Sequence, residues 1–180
     1  MKLINDLFTG EATHDNKALT ACFTGHRRIP KDDFPLIKQK LDVTVNMLIK
    51  NGIIFFGNGG ACGFDHLAAC AVLEARKHCP NIKLIMVLPC TDQDKRWIEP
   101  DKQVYRYLLD NADKTVYVSE IPYFSGCMEK RNLHLILHSS ICVAYMKHGR
   151  SGTSQTVRMA KERGLKIINI AENLKEGGRL

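Results

Sequence analysis

The sequence predicts an α/β domain, doubly wound and Rossmann-like, with a mostly parallel sheet flanked by helices. Three observations lead there. Short apolar, β-rich runs recur with amphipathic helical stretches between them, which is the alternation that a parallel sheet covered by helices requires. Several strand-to-helix junctions are rich in glycine and small hydroxyl residues, as ligand-holding junctions of such sheets are. The length of 180 residues and the apolar fraction of 44% suit one core, so residues 1–180 read as a single domain with its core over about 19–171.

The first strand is expected at 19–23, running into Thr24-Gly25-His26. A helix follows with Ile37, Leu41, Val45 and Leu48 on one face, opened near Asp33 and Pro35 and closed by Asn51-Gly52. The second strand is expected at 53–56, and the glycine-rich segment 57–65 leads from it into a helix with the stripe Leu67, Ala68, Ala71, Val72 and Ala75. The third strand, 82–88, stops at Pro89. Residues 91–112 are polar and then helical, with Val104, Leu108 and Leu109 expected to face inward. A fourth strand at 116–118, a helix at 128–138 and a fifth strand at 141–145 come next. Gly149-Arg150-Ser151-Gly152-Thr153 then opens a helix carrying Val157 and Ala160, and the last strand is expected at 166–170 before a short polar tail.

Composition narrows the function classes. A charged fraction of 25% and an aromatic fraction of 7% exclude disordered, collagen-like and coiled-coil chains. No apolar run approaches the roughly 18 residues needed to span a bilayer. The start, MKLINDLFTG, lacks the apolar stretch of a secretion signal, so a cytoplasmic location is expected. The seven cysteines show no CxxC spacing and sit partly in apolar runs, which reads as reduced core residues rather than a metal site. The net charge of +7 is spread over both halves of the chain with no basic tail, so it favours anions in general without singling out a polymer.

Four segments carry candidate chemistry. In Gly57-Asn58-Gly59-Gly60-Ala61-Cys62-Gly63-Phe64-Asp65, Gly57, Gly59, Gly60 and Gly63 would let the backbone approach a ligand closely at a helix start that favours an anion. Asp65 reads as a ribose contact, as a helix cap, or as both. The segment lacks the third glycine of a dinucleotide fingerprint and the Lys-Ser/Thr of a P-loop. Ser151, Gly152 and Thr153, with Ser154, form a second cluster of hydroxyls and amides suited to phosphate oxygens, or simply start a helix. Thr24, Gly25, His26 and Arg27, with Arg28, stand at the first strand's end, where cations can take a phosphate or stack on a base. Arg131 and Asn132 open a helix in Met128-Glu129-Lys130-Arg131-Asn132, as a phosphate clamp and a base or hydroxyl reader, or as a solvated first turn. The single tryptophan, Trp97, reads equally as a base-stacking surface or a half-buried packing residue.

These residues resemble a known group. The run from Gly59 to His66 looks like the GxARGID-type loop of the DNA-processing DprA/SMF proteins. Met128-Glu129-Lys130-Arg131-Asn132 followed by Gly149-Arg150-Ser151-Gly152-Thr153 looks like the paired Arg and GGxGT elements of the Lonely Guy phosphoribohydrolases. Together they mark the SLOG superfamily. The order of Thr24-Gly25-His26-Arg27, Pro89, Gln93, Trp97, Tyr105, Leu108-Leu109, Ala112-Asp113, Arg131-Asn132, Gly152-Thr153 and Thr156-Val157 resembles its YpsA-like branch over about 20–170. The resemblance implies a nucleotide-derived ligand (a nucleoside monophosphate, ADP-ribose or an NAD-like molecule) between the 57–65 and 149–154 segments; no further cofactor is expected, and the cysteine pattern and hydropathy above lead to the expectation of no metal and no membrane partner. It is also compatible with a homodimer, although no helix reads from the sequence as an exposed interface.

Departures from the pattern bear on mechanism. The phosphoribohydrolases carry a glutamate where this chain has Thr156, and a hydroxyl titrating far above neutrality cannot replace it as general acid or base. Ser151 stands where that group has glycine, narrowing the approach to a phosphate. Asp65 and Arg131 remain the weak catalytic candidates. A nucleotide-binding or sensing module is therefore the first expectation, a hydrolase of the nucleotide N-glycosidic bond the alternative, and DprA-like single-stranded DNA binding the further alternative.

Overall fold

The computed structural model describes residues 14–147, 149 and 151–172. The segment 1–13, His148, Arg150 and the polar tail 173–180, about which expectations were stated above, lie outside the described residues. Within them, six strands form one sheet: β1 (Thr20–Gly25), β2 (Phe55–Asn58), β3 (Lys83–Leu88), β4 (Lys114–Tyr117), β5 (Ile141–Tyr145) and β6 (Lys166–Asn169). Their order is β4-β3-β2-β1-β5-β6, and every neighbouring pair is parallel. The helices are α1 (His14–Ala18), α2 (Phe34–Lys50), α3 (Phe64–Arg76), α4 (Glu99–Asn111), α5 (Cys127–Leu137) and α6 (Gly152–Glu162). The fold is Rossmann-like.

Side chains alternate across the sheet, which is why the central strands read as continuous apolar runs rather than as apolar-polar alternation. Ala21, Phe23, Phe56, Leu84, Met86, Val143 and Tyr145 join the core shared with α2, α3 and α4. Cys22, Phe55, Ile85, Val87 and Cys142 face the other way, onto Leu135 and Ile136 of α5 and Ala160 of α6. Four of the cysteines, Cys22, Cys90, Cys127 and Cys142, are buried.

Some details depart from the sequence reading. Strand β2 lies two residues later than expected, because Ile53 and Ile54 lead into the sheet while Gly57 and Asn58 continue the ladder opposite Ile85 and Met86. On α4 the inward positions are Tyr105 and Leu108, with Leu109 partly buried, whereas Val104 is exposed. Helix α1 and a short 3-10 turn at Lys31–Asp33 fall below the length at which periodicity signals anything. Helix α2 exposes Leu36, Val43 and Met47, so an apolar outer face exists where none was expected.

The winding places the site. From β1 the chain steps outward through β2 and β3 to β4, then crosses back to lay β5 on the other side of β1. The loops leaving the carboxyl ends of β1 and β5 therefore part in opposite directions, and a crevice opens between them. The base of this crevice is tight. A Cβ at Gly25, the last residue of β1, would run into the ring of Phe64, the fully buried first residue of α3. Gly25→Ala is expected to destabilise the fold by about 1–3 kcal/mol, the usual cost of overpacking, as read from its denaturant midpoint.

Candidate functional site

A cavity of about 290 Å³ occupies the crevice. The end of β1 supplies Phe23, Thr24, Gly25, His26 and Arg27 to its wall, and the start of α3 supplies Asp65, with Ala61 before it. The opposite wall comes from Met128, Arg131 and Asn132 on α5 and from Ser151, Gly152, Thr153 and Thr156 at the head of α6. Ten of the residues singled out in the sequence thus meet around one space: Thr24, Gly25, His26, Arg27, Asp65, Arg131, Asn132, Ser151, Gly152 and Thr153.

Gly57, Gly59, Gly60 and Gly63 do not line it, and their lack of side chains serves the protein's own packing. A Cβ at Gly59 would coincide with the Arg131 guanidinium. At Gly57 it would lie 2.9 Å from Leu135 Cδ2, at Gly60 2.9 Å from Met86 Cε, and at Gly63 it would strike the backbone of Arg27. Gly60 and Gly63 also hold positive φ angles of 65° and 79°, which side chains disfavour. The turn is pinned by a residue that the sequence reading passed over. Asn58, fully buried, donates from Nδ2 to Asp65 O (2.8 Å) and accepts the Gly60 N–H on Oδ1 (2.7 Å). The signal was there: an amide at a strand tip among glycines must find both a donor and an acceptor when buried.

Arg131 is the centre of the site. Only 5% exposed, it lies with Nη1 3.6 Å from Asp65 Oδ2, an ion pair too long for a good hydrogen bond, and it sets Nη2 4.0 Å from Met128 Sδ. Its Nε and Nη1 are buried without a hydrogen-bond partner among the described residues. Burial pulls the guanidinium's pKa down against the opposing pull of Asp65, and an arginine so far above neutrality stays charged. Asp65 is equally buried, and desolvation raises its carboxyl to about 6 despite Arg131 and the Ala61 N–H that it accepts at 3.3 Å.

The remaining walls hold backbone in place. His26 accepts the Lys147 N–H on Nε2 (3.0 Å), which leaves the proton on Nδ1, and burial together with the Lys147 charge lowers its pKa below 6.5, so it is neutral at pH 7. Ser151 and Ser154 cap α6 reciprocally, each hydroxyl taking the other's N–H (3.1 and 2.9 Å), while the Gln155 N–H returns to Ser151 O. Among the described residues, the Gly152 and Thr153 amides are the first-turn donors that this cap does not use. Asn132 Nδ2 donates to Thr156 Oγ1, which itself donates to Gly152 O, both at 2.9 Å.

Comparison of the sequence points to a family. The YpsA model (YspA SLOG family) covers residues 24–167. The chain belongs to this family. The YpsA-type chain is 33% identical over 138 residues to the uncharacterized SPbeta prophage-derived protein YoqJ of Bacillus subtilis, covering 70% of this chain and 81% of that one. It is 32% identical over 95 residues to a UPF0398 protein of Bacillus pumilus, covering 53% of this chain and 51% of the relative. Among solved structures, DNA processing protein A from Helicobacter pylori, described for its single-stranded DNA binding mode, superposes with a TM-score of 0.61 at 23% identity. That match covers 85% of this chain and 65% of the other. The YpsA-type chain thus spans about half of the Bacillus pumilus relative and less than two thirds of the Helicobacter protein. At this identity the likeness shows the fold.

Asp65 makes folding pH-dependent. Its proton is held more firmly in the folded chain (about 6) than at the ordinary value of 3.8. Its contribution to stability is therefore lost as pH rises from about 4 to about 6, and changes little above that. Asp65→Asn is expected to flatten this part of the profile and to leave Arg131 uncompensated, a loss of about 3–5 kcal/mol. Inorganic phosphate is expected to raise the melting temperature of Asp65→Asn more than that of the wild type; equal shifts would separate the phosphate from Arg131.

Proposed function

We propose that the β1/β5 crevice binds a phosphorylated, nucleotide-derived small molecule, and that the protein works as a binding or sensing module. One observation carries this reading: Arg131, only 5% exposed, borders the cavity, its charge met by Asp65 at 3.6 Å and its Nε and Nη1 without a hydrogen-bond partner among the described residues. Buried donors without partners cost about 1–3 kcal/mol each, more when charged, and an anion in the cavity would offset the buried charge. The Gly152 and Thr153 amides lie on the same wall, at the positive end of α6.

Turnover has weak support in the residues present. Thr156 stands at the hydrolase glutamate position with its hydroxyl committed as donor to Gly152 and as acceptor from Asn132. Among the described residues Asp65 is the one carboxylate on the cavity wall, and it is held by Ala61 and Arg131. DNA binding by DNA processing protein A suggests a second reading, favoured here by the +7 charge and by Arg27 at the cavity mouth. A polymer complex should weaken steeply with salt, whereas the crevice ligand should not.

Titration calorimetry with AMP, ADP-ribose and NAD is the test. Saturable binding is expected, weakened at least tenfold by Arg131→Met and by the exposed Arg27→Ala, whose fold is checked by circular dichroism. No free base should accumulate. An absence of binding at millimolar ligand would refute the proposal.

A further inference from the structure

The crevice does not end at its mouth. Arg27 and Met128 line both the 290 Å³ cavity and a second groove of about 620 Å³, which continues over Gln93, Lys95, Arg96 and Trp97 to Tyr123. Small-molecule sites occupy about 300–1,000 Å³. The first cavity alone sits at the lower edge of that range, enough for a phosphate and a sugar. The two in series fall within it and suit a longer molecule.

The groove's chemistry differs from that of the crevice. Trp97, half-buried, is held in place by edge contacts with His66 (centroids 5.6 Å apart) and Tyr105 (5.2 Å). Tyr123 is 59% exposed on a loop fixed from below: Asp92 Oδ1 accepts the Tyr123 N–H at 2.6 Å, and the Thr91 N–H donates to Ile121 O at 3.2 Å. Buried Gln93 donates to Gly59 O and Gly60 O (3.4 and 3.3 Å), joining the groove's floor to the turn that seats Arg131. Asp92, the carboxylate of the lining, is spent on that backbone bond and on Lys95 at 4.0 Å. Arg27 and Arg96 pair with no carboxylate among the described residues. Aromatic surface beside uncommitted guanidiniums fits a flat ring next to further phosphate.

We infer that the groove is a second subsite for the crevice ligand, so that the molecule bound is of the two-part diphosphate class that ADP-ribose represents. Its sugar-phosphate end lies at Arg131 and the α6 amides, its second phosphate at Arg27, and its ring against Trp97 and Tyr123. This rests on the phosphate-binding reading of the crevice. It adds that affinity is built in two places, and these can be separated.

Trp97 is the only tryptophan, so its fluorescence reports on the groove directly. Full-length protein is titrated with ADP-ribose and with ribose 5-phosphate, by calorimetry and by emission. ADP-ribose is expected to change Trp97 emission saturably and to bind at least tenfold tighter than ribose 5-phosphate, which should bind without moving the emission. Tyr123→Ala and Arg96→Ala, both at exposed positions, should remove the tenfold advantage and leave ribose 5-phosphate binding unchanged. Equal affinities, unmoved emission and inert variants would overturn the second subsite while leaving the crevice intact. No binding of either probe would overturn both readings. Saturable quenching by a short oligothymidylate, with ADP-ribose silent, would overturn the small-molecule ligand in favour of a strand.

Discussion

The structure depends on a charge kept out of water. Removing a guanidinium and a carboxylate from solvent costs several kcal/mol each, and that cost is recovered only when geometry and hydrogen bonds are good. At 3.6 Å, with Nε and Nη1 making no hydrogen bond among the described residues, the Arg131–Asp65 pair recovers little of it by itself. The surroundings have to hold it. Gly59 leaves room for the guanidinium, Asn58 ties the turn to the head of α3, and Leu135 and Ile136 anchor α5 in the core beneath β1, β3 and β5. Such an arrangement is held at a cost, as binding sites ready before their ligand arrives are.

The rest of the wall follows a consistent division of labour. Side chains that could meet a ligand are largely occupied in fixing main chain: Ser151 and Ser154 with each other, Asn132 through Thr156 to Gly152, and His26 on the Lys147 amide. Backbone N–H groups and two arginines are what they leave available. A surface of that kind recognises charge and the shape of an oxyanion more than the pattern of a base. On the proposed reading, base preference would come from the aromatic groove, whose lining is chemically different.

The architecture was legible because each long element carries its own period. Buried strands show as apolar runs, and α2 and α3 as stripes ended by turn residues. The misses have local causes. Gly57 and Asn58 belong to β2 only through pairing with β3, which a strand's own residues do not advertise. On α4 the aromatic Tyr105 takes the inward position through contact with Trp97, turning Val104 outward. Of the site, the segments at strand ends were readable because parallel sheets gather such ends on one edge. The purpose of the glycines was not. Gly59 makes sense only beside Arg131, a residue far along the chain on another element, and no local pattern encodes that encounter.

The order of the sheet has a mechanical consequence. Strands β1 to β4 and their helices form one flank, while α5, β5, α6 and β6 form the other, and the seam between them runs along the β1–β5 pairing. The crevice straddles that seam, with Thr24 to Arg27 and Asp65 on one side and Arg131, Asn132, Ser151, Gly152, Thr153 and Thr156 on the other. A molecule lodged there would act as a rivet across the β1–β5 seam, adding to the packing of α5 beneath β1 and β3 that already joins the two flanks. Occupancy would then be felt as stiffness across the whole sheet, including surfaces that the ligand never touches.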